Sequence, residues 1–284
     1  MKLKEIYTNN KNFPLISFEV FPPKSDDKKL IEEIKVLKQY TPQFISLTYG
    51  AGGKGNKSFE LLNIIRNLGI NVVPHFTCIT SSKKSVNERL IKIEKSGIEN
   101  ILALRGDIPT CESDRHFDFN YANELVAFIK DKTNLSIGVA GYPEGHIESP
   151  DLHSDILNLK KKVNAGADVI FTQLFFDNKK FYNYTEILRE KGINLPVIAG
   201  IMPIISKNQL QKMTSMARVT IPNIINEKAE KYADDPISLR DFGIDYATEQ
   251  CLDLIKNNVE GLHFFTLNKS YSTAKILDNI KGVK

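Results

Sequence analysis

Three consecutive residues, Arg105, Gly106 and Asp107, carry the clearest chemical signal in this sequence. They follow the apolar run 101–104, which predicts a buried strand, and they lie just before Pro109, which ends regular structure. Unpaired charge is costly away from water, so a buried strand ends in a cation and a carboxylate only where it opens to solvent or to a pocket. Two interpretations fit the triplet: an Arg–Asp pair that closes a surface turn, or one wall of a binding site.

The same pattern recurs at the ends of the other apolar runs. Any one of these residues alone is more often a satisfied loop or core residue than part of a site. Taken together, they indicate that polar groups from many strands converge on one face. In chain order, the residues at these strand ends are Glu19, Thr48, His75, Arg105, Gly106, Asp107, Tyr142, His146, Gln173, Asp177, Gly200, Pro203, Asn268 and Lys269.

A second charged group lies on the helix predicted after the fifth strand. Asp155, Asn158 and Lys162 are spaced i, i+3 and i+7, so they share one helix face, and Lys161 flanks that face. A carboxylate, an amide and two ammonium groups near the end of a strand could hold ribose hydroxyls and a pyrophosphate. The alternative is a solvated charged face.

The glycines at 50, 52 and 55 match the G-x-G-x-x-G pattern of dinucleotide-binding proteins, between a predicted strand and a predicted helix. Two features argue against that function. The motif follows the second strand rather than the first, and the region twenty residues on offers Pro74, His75 and Phe76 instead of an acidic ribose ligand. We therefore interpret these glycines as a strand–helix loop.

A metal-dependent hydrolase or an aldolase is the competing enzyme class. Glu19, His75, Asp107 and His146 could converge as metal ligands, but the first strand carries no His-x-His pair. No G-x-S-x-G motif is present. Lys269 is the one lysine near the end of a predicted strand, which gives a Schiff-base mechanism little support.

Eight apolar, β-branched runs predict strands, and most are continuous, as in parallel strands covered on both faces. They lie at residues 15–21, 44–49, 72–78, 100–104, 137–142, 169–176, 196–201 and 262–267. Amphipathic stretches predict helices at 26–40, 58–68, 85–96, 121–130, 155–165, 179–191 and 208–216. We expect Asp26 and Ser85 to cap helix starts, and four glycines to follow helix ends: Gly69, Gly97, Gly166 and Gly192.

The βα unit recurs about every thirty residues, with no linker between units. Eight such units predict a single α/β domain over residues 1–284, a closed (β/α)8 TIM barrel, with an open doubly wound sheet as the alternative. The longer interval 221–258 contains Pro222 and Pro236 and predicts two further helical pieces. In such a barrel the active site lies at the carboxyl ends of the strands, where the polar residues described above are found.

The charge, the cysteine count and the lack of long apolar runs exclude several classes of protein. The 284 residues carry a net charge of +4 with lysines scattered over helical faces, so nucleic acid binding is not indicated. The three cysteines, Cys78, Cys111 and Cys251, are widely spaced and suit a reducing compartment without a disulfide framework or a zinc pattern. The start of the chain lacks the apolar core of a signal peptide, and no run is long enough to span a membrane, so we expect a cytoplasmic protein.

Nine motifs, in order through nearly the whole chain, closely resemble the 5,10-methylenetetrahydrofolate reductase family. They are S-F-E-V-F-P-P at 17–23, L-T-Y-G-A at 47–51, P-H-F-T-C at 74–78, L-R-G-D at 104–107, Y-P-E-G-H at 142–146, D-I-L-N-L-K-K-K-V at 155–163, T-Q-L-F-F-D at 172–177, G-I-M-P at 200–203 and H-F-F-T-L-N at 263–268.

The resemblance implies an FAD-containing barrel that oxidises NADH or NADPH and reduces 5,10-methylenetetrahydrofolate to 5-methyltetrahydrofolate, a step that supplies methionine synthesis. Both substrates would use the same flavin face in turn, in a ping-pong cycle. By family likeness, FAD would be held by Thr48, His75, Arg105, Gly106, Asp107, Tyr142, His146, Asp155, Asn158, Lys161 and Lys162. The folate would meet Glu19, Asp107, Gln173, Gln209, Met213 and Lys269.

Glu19 and Asp107 would have the catalytic roles. A carboxylate such as Asp107 can accept hydrogen bonds from the adjacent amino group and ring N–H of a pterin. Opening the methylene bridge requires a proton near the leaving nitrogen. Because Glu19 lies between the apolar residues Phe18 and Val20, we expect it to have the raised pKa that suits such an acid.

Two positions depart from the family pattern. Lys269 stands where bacterial relatives often carry Arg, which keeps a positive charge for the glutamate tail of folate but loses the bidentate fork. Met213 stands where relatives place a phenylalanine over the ring of the substrate. The expected partners are the small-molecule folate and further copies of this chain, with neither nucleic acid nor a membrane. A regulatory domain that responds to S-adenosylmethionine is not expected after Lys284.

Overall fold

Eight parallel strands close into one barrel in the computed structural model of this chain. The structure describes residues 1–9, 14–24, 26–48, 55–108 and 118–282. The strands are β1 (Leu15–Val20), β2 (Phe44–Leu47), β3 (Val72–Thr77), β4 (Asn100–Leu104), β5 (Ser136–Gly141), β6 (Val169–Leu174), β7 (Val197–Ile201) and β8 (Gly261–Phe265). Each strand pairs with its neighbours in sequence order, and β1 pairs with both β2 and β8. The predicted (β/α)8 barrel is confirmed, and the open doubly wound sheet was wrong.

Helices alternate with these strands. They are α1 (Leu3–Asn9), α2 (Asp27–Lys38), α3 (Gly55–Asn67), α4 (Lys83–Lys95), α5 (Ala122–Lys132), α6 (Leu152–Asn164), α7 (Asn178–Glu190), α8 (Lys207–Ser215), α9 (Asn223–Lys231), α10 (Pro236–Lys256) and α11 (Ser270–Ile280). The two extra helical pieces expected before the last strand are α9 and α10. The sequence reasoning missed α1 and α11. Within the described residues, no helix has both the length and the apolar character needed to cross a membrane.

Element ends differ from the predictions by one to three residues in most cases. β6 ends at Leu174, because Phe175 and Phe176 pack as buried loop residues, and β1 ends at Val20, before the exposed Phe21. Tyr49, the predicted end of β2, lies outside the described residues, as do Pro109, Cys111 and residues 50–54 of the glycine motif.

Helix caps follow the expected chemistry, with one correction. Asp26 caps α2 by accepting a hydrogen bond from the backbone N–H of Lys29 at 3.0 Å. The cap of α4 is Ser82 rather than Ser85, because α4 begins earlier than predicted and the Ser85 N–H donates to Ser82 Oγ at 3.1 Å. The four predicted glycines all have positive φ, the conformation that favours glycine after a helix: Gly69, Gly97, Gly166 and Gly192.

Two apolar layers hold the barrel together. The larger layer lies between strands and helices and includes Phe18 and Val20 on β1. The smaller layer fills the floor of the barrel, at the amino ends of the strands, where Leu3, Ile6 and Tyr7 of α1 close it. They pack against strand residues of the interior, namely Leu15, Phe44, Val73, Leu102, Val169, Phe171 and Ile198.

Candidate active site

The carboxylate of Glu19 lies near the carboxyl end of β1, between two histidines from other strands. Its Oε2 is 3.3 Å from Nε2 of His75 on β3 and 3.8 Å from Nε2 of His263 on β8. The Glu19 side chain is 19% exposed, whereas both histidines are buried. The structure therefore brings Glu19 and His75 together, as the sequence predicted from their positions at strand ends.

The expectation of a raised pKa for Glu19 was wrong. Burial alone raises the pKa, but the combined effect of His75 and His263 is larger and lowers it to about 2. The apolar neighbours along the chain, Phe18 and Val20, face the helices rather than the carboxylate, because alternate residues of a strand point to opposite faces. In this structure Glu19 is accordingly a carboxylate at neutral pH.

The backbone around Glu19 is fixed by the turn that follows β8. Thr266 Oγ1 donates to the Glu19 carbonyl at 2.7 Å. The side-chain amide of Asn268 bonds both backbone groups of Phe21, accepting at 2.9 Å and donating at 2.7 Å. Leu267 and Asn268 both have positive φ, at 53° and 57°. A bulky residue in that conformation is strained, and such strain is typical of functional sites.

Arg105 at the end of β4 pairs with Glu148, not with Asp107. Its two terminal nitrogens each lie 2.6 Å from a Glu148 carboxylate oxygen, in a bidentate pair that links the ends of β4 and β5. Gly106 has a φ of +89°, and a Cβ there would lie 2.9 Å from Ile79 Cγ2, so the position requires glycine. Asp107 is exposed. The surface-turn Arg–Asp pair is therefore excluded.

The loop after β5 and one face of α6, from Asp155 in its first turn to Lys162 in its last, form a second polar cluster. The rings of Tyr142 and His146 meet edge to face, with centroids 4.7 Å apart. Lys162 Nζ donates to the Ala140 carbonyl at 2.6 Å and lies 5.8 Å from the Tyr142 ring. Asp155 is buried and accepts a hydrogen bond from Ser149 Oγ at 3.1 Å.

Burial is the largest cause of the pKa shifts in this second cluster. It lowers the pKa of Lys162 to about 8, against the opposing effect of Asp155, and it raises the pKa of Asp155, against Lys162 and Ser149. It also lowers the pKa of His146 and raises that of Tyr142 to about 12. The cluster therefore offers a cation, a carboxylate and two rings in a partly desolvated setting, where charge-assisted contacts are strong.

The helix face predicted from the i, i+3, i+7 spacing is only partly formed. Asp155 and Lys162 turn toward the strands, whereas Asn158 and Lys161 are exposed, with Lys161 Nζ donating to Asn158 Oδ1 at 3.0 Å. At 100° per residue, Asn158 is rotated about 60° from Asp155, which is enough to carry it to the rim of the face. Thr48 is partly buried after β2, and its N–H donates to the Val20 carbonyl at 3.0 Å.

The predicted folate contacts lie on three other elements. Gln173 is half-buried on β6, where the register shifts between Phe171 and Leu174, and its Oε1 accepts from the Leu174 N–H at 2.9 Å. Gln209 on α8 accepts from the Ile205 N–H at 3.1 Å and contacts Met202 Sδ at 3.0 Å.

Met213 and Lys269 differ in burial. Met213 packs against the apolar cluster beneath α8. Lys269 is exposed at the start of α11 and caps nothing with its side chain. An exposed ammonium lacks the desolvation that a Schiff-base lysine needs, so the aldolase alternative loses its support.

The metal alternative also lacks a ligand cluster. Within the ranges that the structure describes, no group of three or more His, Cys, Asp or Glu side chains is arranged to hold a metal ion. Glu19 and His75 are paired with each other, while His146 packs on Tyr142. Glu19 and His75 thus belong to one cluster and His146 to another, and Asp107 is exposed.

His263 is the site residue that sequence reasoning missed. It was part of a recognised motif, yet as a histidine inside an apolar strand it gave no sign of facing Glu19. The register of the barrel supplies that information, because Ser17 of β1 lies directly beside His263 of β8.

Comparison with known proteins decides the family. The sequence profile of the methylenetetrahydrofolate reductase family matches residues 2–281. The chain belongs to this family. Among bacterial members, the 5,10-methylenetetrahydrofolate reductase of Pectobacterium carotovorum is 34% identical over 259 residues, covering 90% of this chain and 86% of the relative. That of Buchnera aphidicola from Schizaphis graminum is 38% identical, covering 89% and 87%.

A plant member of the family is longer. Methylenetetrahydrofolate reductase (NADH) 1 of Arabidopsis thaliana is 36% identical over 283 residues, and the match covers 93% of this chain but 48% of the plant protein. This chain thus spans about half the length of that relative. A solved structure of a Clostridium thermocellum protein that binds two copies of 5-methyl-5,6,7,8-tetrahydrofolic acid covers 98% of both chains with a TM-score of 0.65 and 14% identity. That likeness supports the fold.

Proposed function

We propose that this protein reduces 5,10-methylenetetrahydrofolate to 5-methyltetrahydrofolate, using NADH or NADPH and a bound FAD in a ping-pong cycle. Family membership over residues 2–281 supports the reaction. The structural observation that carries the proposal is the Glu19 carboxylate between His75 and His263, because a proton-transfer group is thereby held near the carboxyl ends of the strands.

The donor set at the ends of β4 and β5 fits a flavin dinucleotide. Lys162 supplies a cation beside the ring of Tyr142, and Asp155 supplies a carboxylate suited to ribose hydroxyls. The fork of Arg105 suits a pyrophosphate, although Glu148 engages it here. The proposed cofactor residues are Thr48, His75, Arg105, Gly106, Asp107, Tyr142, His146, Asp155, Asn158, Lys161 and Lys162.

Asn158 and Lys161 contribute to this set from the outer rim of α6, since both are exposed. When bound, FAD supplies the two-electron chemistry that links the nicotinamide to the folate. The protein supplies binding, orientation and control of the proton.

The pterin end of the folate would be recognised by Asp107 and Gln173. Asp107 is an exposed carboxylate after β4 and can accept from two adjacent N–H groups. Gln173 can both donate and accept on the same ring. Gln209 and Met213 on α8 would contact the ring system, and the Lys269 ammonium would attract the glutamate tail.

Proton balance defines the task of Glu19. Reduction of the methylene group by NADH or NADPH consumes one proton per turnover, and this proton ends on the nitrogen released when the methylene bridge opens. Because its resting pKa is about 2, Glu19 must gain a proton before it can donate one. Folate that covers the carboxylate would exclude water and favour the neutral form, which helps this step.

A visible spectrum and a two-step stopped-flow experiment test the proposal. The purified protein should show flavin absorbance, which anaerobic NADH or NADPH should bleach and methylenetetrahydrofolate should then restore. A colourless protein with stoichiometric zinc would contradict the proposal in favour of a metal-dependent hydrolase. Tight folate binding without any restored absorbance would instead indicate a binding protein that has lost turnover.

A further inference from the structure

Two loops from distant parts of the chain are tied together by side-chain hydrogen bonds. The β5–α6 loop (residues 142–151) carries Tyr142 and His146, which are proposed to contact the flavin. The α8–α9 loop (residues 216–222) directly follows the helix that is proposed to contact the folate ring. None of the residues that join the two loops has a role in the proposed function.

Glu144 on the β5–α6 loop makes the first connection. Its Oε1 accepts from the backbone N–H of Thr220 at 3.0 Å, and its Oε2 accepts from the Thr220 hydroxyl. A carboxylate that receives two donors from one residue makes charge-assisted hydrogen bonds, which fix the orientation as well as the distance of that residue. Glu144 is half-buried, so water competes less for these bonds than at a fully exposed carboxylate.

Arg218 on the α8–α9 loop makes the second connection. Its Nη2 donates to the Ser149 carbonyl at 3.0 Å and lies 3.5 Å from the Ile147 carbonyl. The Ser149 hydroxyl donates in turn to Asp155 Oδ1 at 3.1 Å. Arg218 is therefore linked through one serine to the carboxylate proposed for the ribose of FAD. Glu144 lies two residues from a proposed flavin contact on either side.

The apolar side of the α8–α9 loop holds α8. Val219 and Ile221 pack against the apolar cluster that includes Leu210 and Met213 of α8. The residues that alternate with them face the β5–α6 loop and are exposed, as in an extended segment with one apolar side and one polar side. A movement of this loop would therefore be felt by α8 and by Met213.

We propose that Glu144 and Arg218 are positioning residues, which fix the placement of α8 by joining it to the loop that holds the flavin. The inference rests on the proposed function. Flavin in contact with Tyr142 and His146 restrains the β5–α6 loop, and the hydrogen bonds between the loops pass this restraint to α8. FAD binding thus lowers the cost of ordering α8, and the folate meets a helix that is already in place.

Hydrogen–deuterium exchange tests this coupling without any turnover. We expect the α8 amides of the wild-type flavoprotein to exchange about tenfold more slowly than those of the same protein stripped of flavin, on the scale of one charge-assisted hydrogen bond. In Glu144→Ala at saturating FAD, this effect of flavin on α8 should vanish. Because coupling is reciprocal, the same variant should bind FAD about tenfold more weakly in a fluorescence titration.

Three further variants separate the hydrogen bonds from the shape of the side chain. Glu144→Gln keeps an acceptor for the Thr220 N–H and a donor for its hydroxyl, so it should retain most of the coupling. Thr220→Val removes only the hydroxyl and should have a smaller effect than Glu144→Ala. Glu186→Ala, which removes an exposed carboxylate from α7, is the matched control and should change neither measurement. Thermal melts establish that each variant is folded.

Single-turnover reoxidation of the reduced flavin is the second readout. Because folate binding must order α8 itself in Glu144→Ala, the apparent Kd for methylenetetrahydrofolate should rise by roughly threefold to tenfold. The limiting rate of reoxidation should stay within about twofold of wild type. Loss of a group that acts on the reacting atoms would lower the limiting rate instead.

The outcomes distinguish this inference from the proposed function. Exchange in α8 that responds to flavin equally in Glu144→Ala and in the wild type, or to flavin in neither, would overturn the coupling. A wild-type protein that methylenetetrahydrofolate does not reoxidise would refute the proposed function and leave the exchange result standing. If Glu144→Ala does not fold, the same exchange comparison on Thr220→Val and Arg218→Met decides.

Discussion

At the residue scale, Glu19 shows how a site is defined by contacts that are remote in sequence. Two histidines, on β3 and β8, reverse the effect of burial on its pKa. The low resting pKa is compatible with the acid role that we propose. If Glu19 is the acid that we propose, its proton must be supplied when folate is bound.

Glu19→Gln should separate the two halves of the reaction. The amide keeps the size of the side chain but has no proton to give to the leaving nitrogen. We expect flavin reduction by NADH to stay within about twofold of wild type and reoxidation by methylenetetrahydrofolate to fall by about 10²–10⁴-fold. Anaerobic stopped-flow absorbance measures both rates. A similar decrease in the two rates would refute the acid role.

At the element scale, α1 closes the floor of the barrel and holds no site residue. Asn100 at the start of β4 fixes it in place, accepting from the Leu3 N–H at 2.7 Å and donating to the Met1 carbonyl at 3.0 Å. Short and rich in polar residues, this helix lacks the long amphipathic pattern by which the other helices were predicted. The helix stabilises the domain because its three apolar side chains, Leu3, Ile6 and Tyr7, are buried against the strands at the floor of the barrel.

Ile6→Ala should therefore destabilise the whole domain. Ile6 is 1% exposed among the floor residues, so the substitution leaves a cavity and is expected to lower the free energy of unfolding by about 2–5 kcal/mol. Lys4→Ala on the same helix is the control, because Lys4 is exposed and its loss should cost no more than about 0.5 kcal/mol. Urea denaturation measures both. Equal effects would mean that α1 is not part of the cooperative core.

At the scale of the whole molecule, closure of β1 against β8 brings together residues that are almost the full chain apart. Glu19, in the first strand, meets His263, in the last. Their interaction exists only in the folded barrel, so the ionisation of Glu19 is coupled to the stability of the entire domain.

The pH dependence of stability should reveal this coupling. The folded-state pKa of Glu19 is depressed from 4.5 to about 2, so its contribution is fully present above pH 4.5 and is lost as the pH falls toward 2. Between those values the wild type should lose on the order of 2 kcal/mol more unfolding free energy than Glu19→Gln. Urea denaturation over this range measures the difference. Glu32→Gln, which removes an exposed carboxyl group from α2, is the control, and parallel curves for wild type and Glu19→Gln would contradict the coupling.

The barrel and the meeting of Glu19 with His75 could be predicted from the sequence because parallel strands all end at one face. The pKa of Glu19 could not, since Phe18 and Val20 are neighbours in the chain but lie on the opposite face of β1. The pairing of Arg105 with Glu148 was also hidden, because it depends on how two loops approach each other rather than on any local pattern.

The filled floor has a kinetic consequence. Among the described residues, α1 and its apolar neighbours fill the amino end of the barrel, while Glu19 lies near the opposite end. In the reaction that we propose, two bulky reactants would share this opposite end and would have to bind there one after the other. The oxidised nicotinamide would then have to dissociate before the folate binds, so product release would set an upper limit on the proposed turnover.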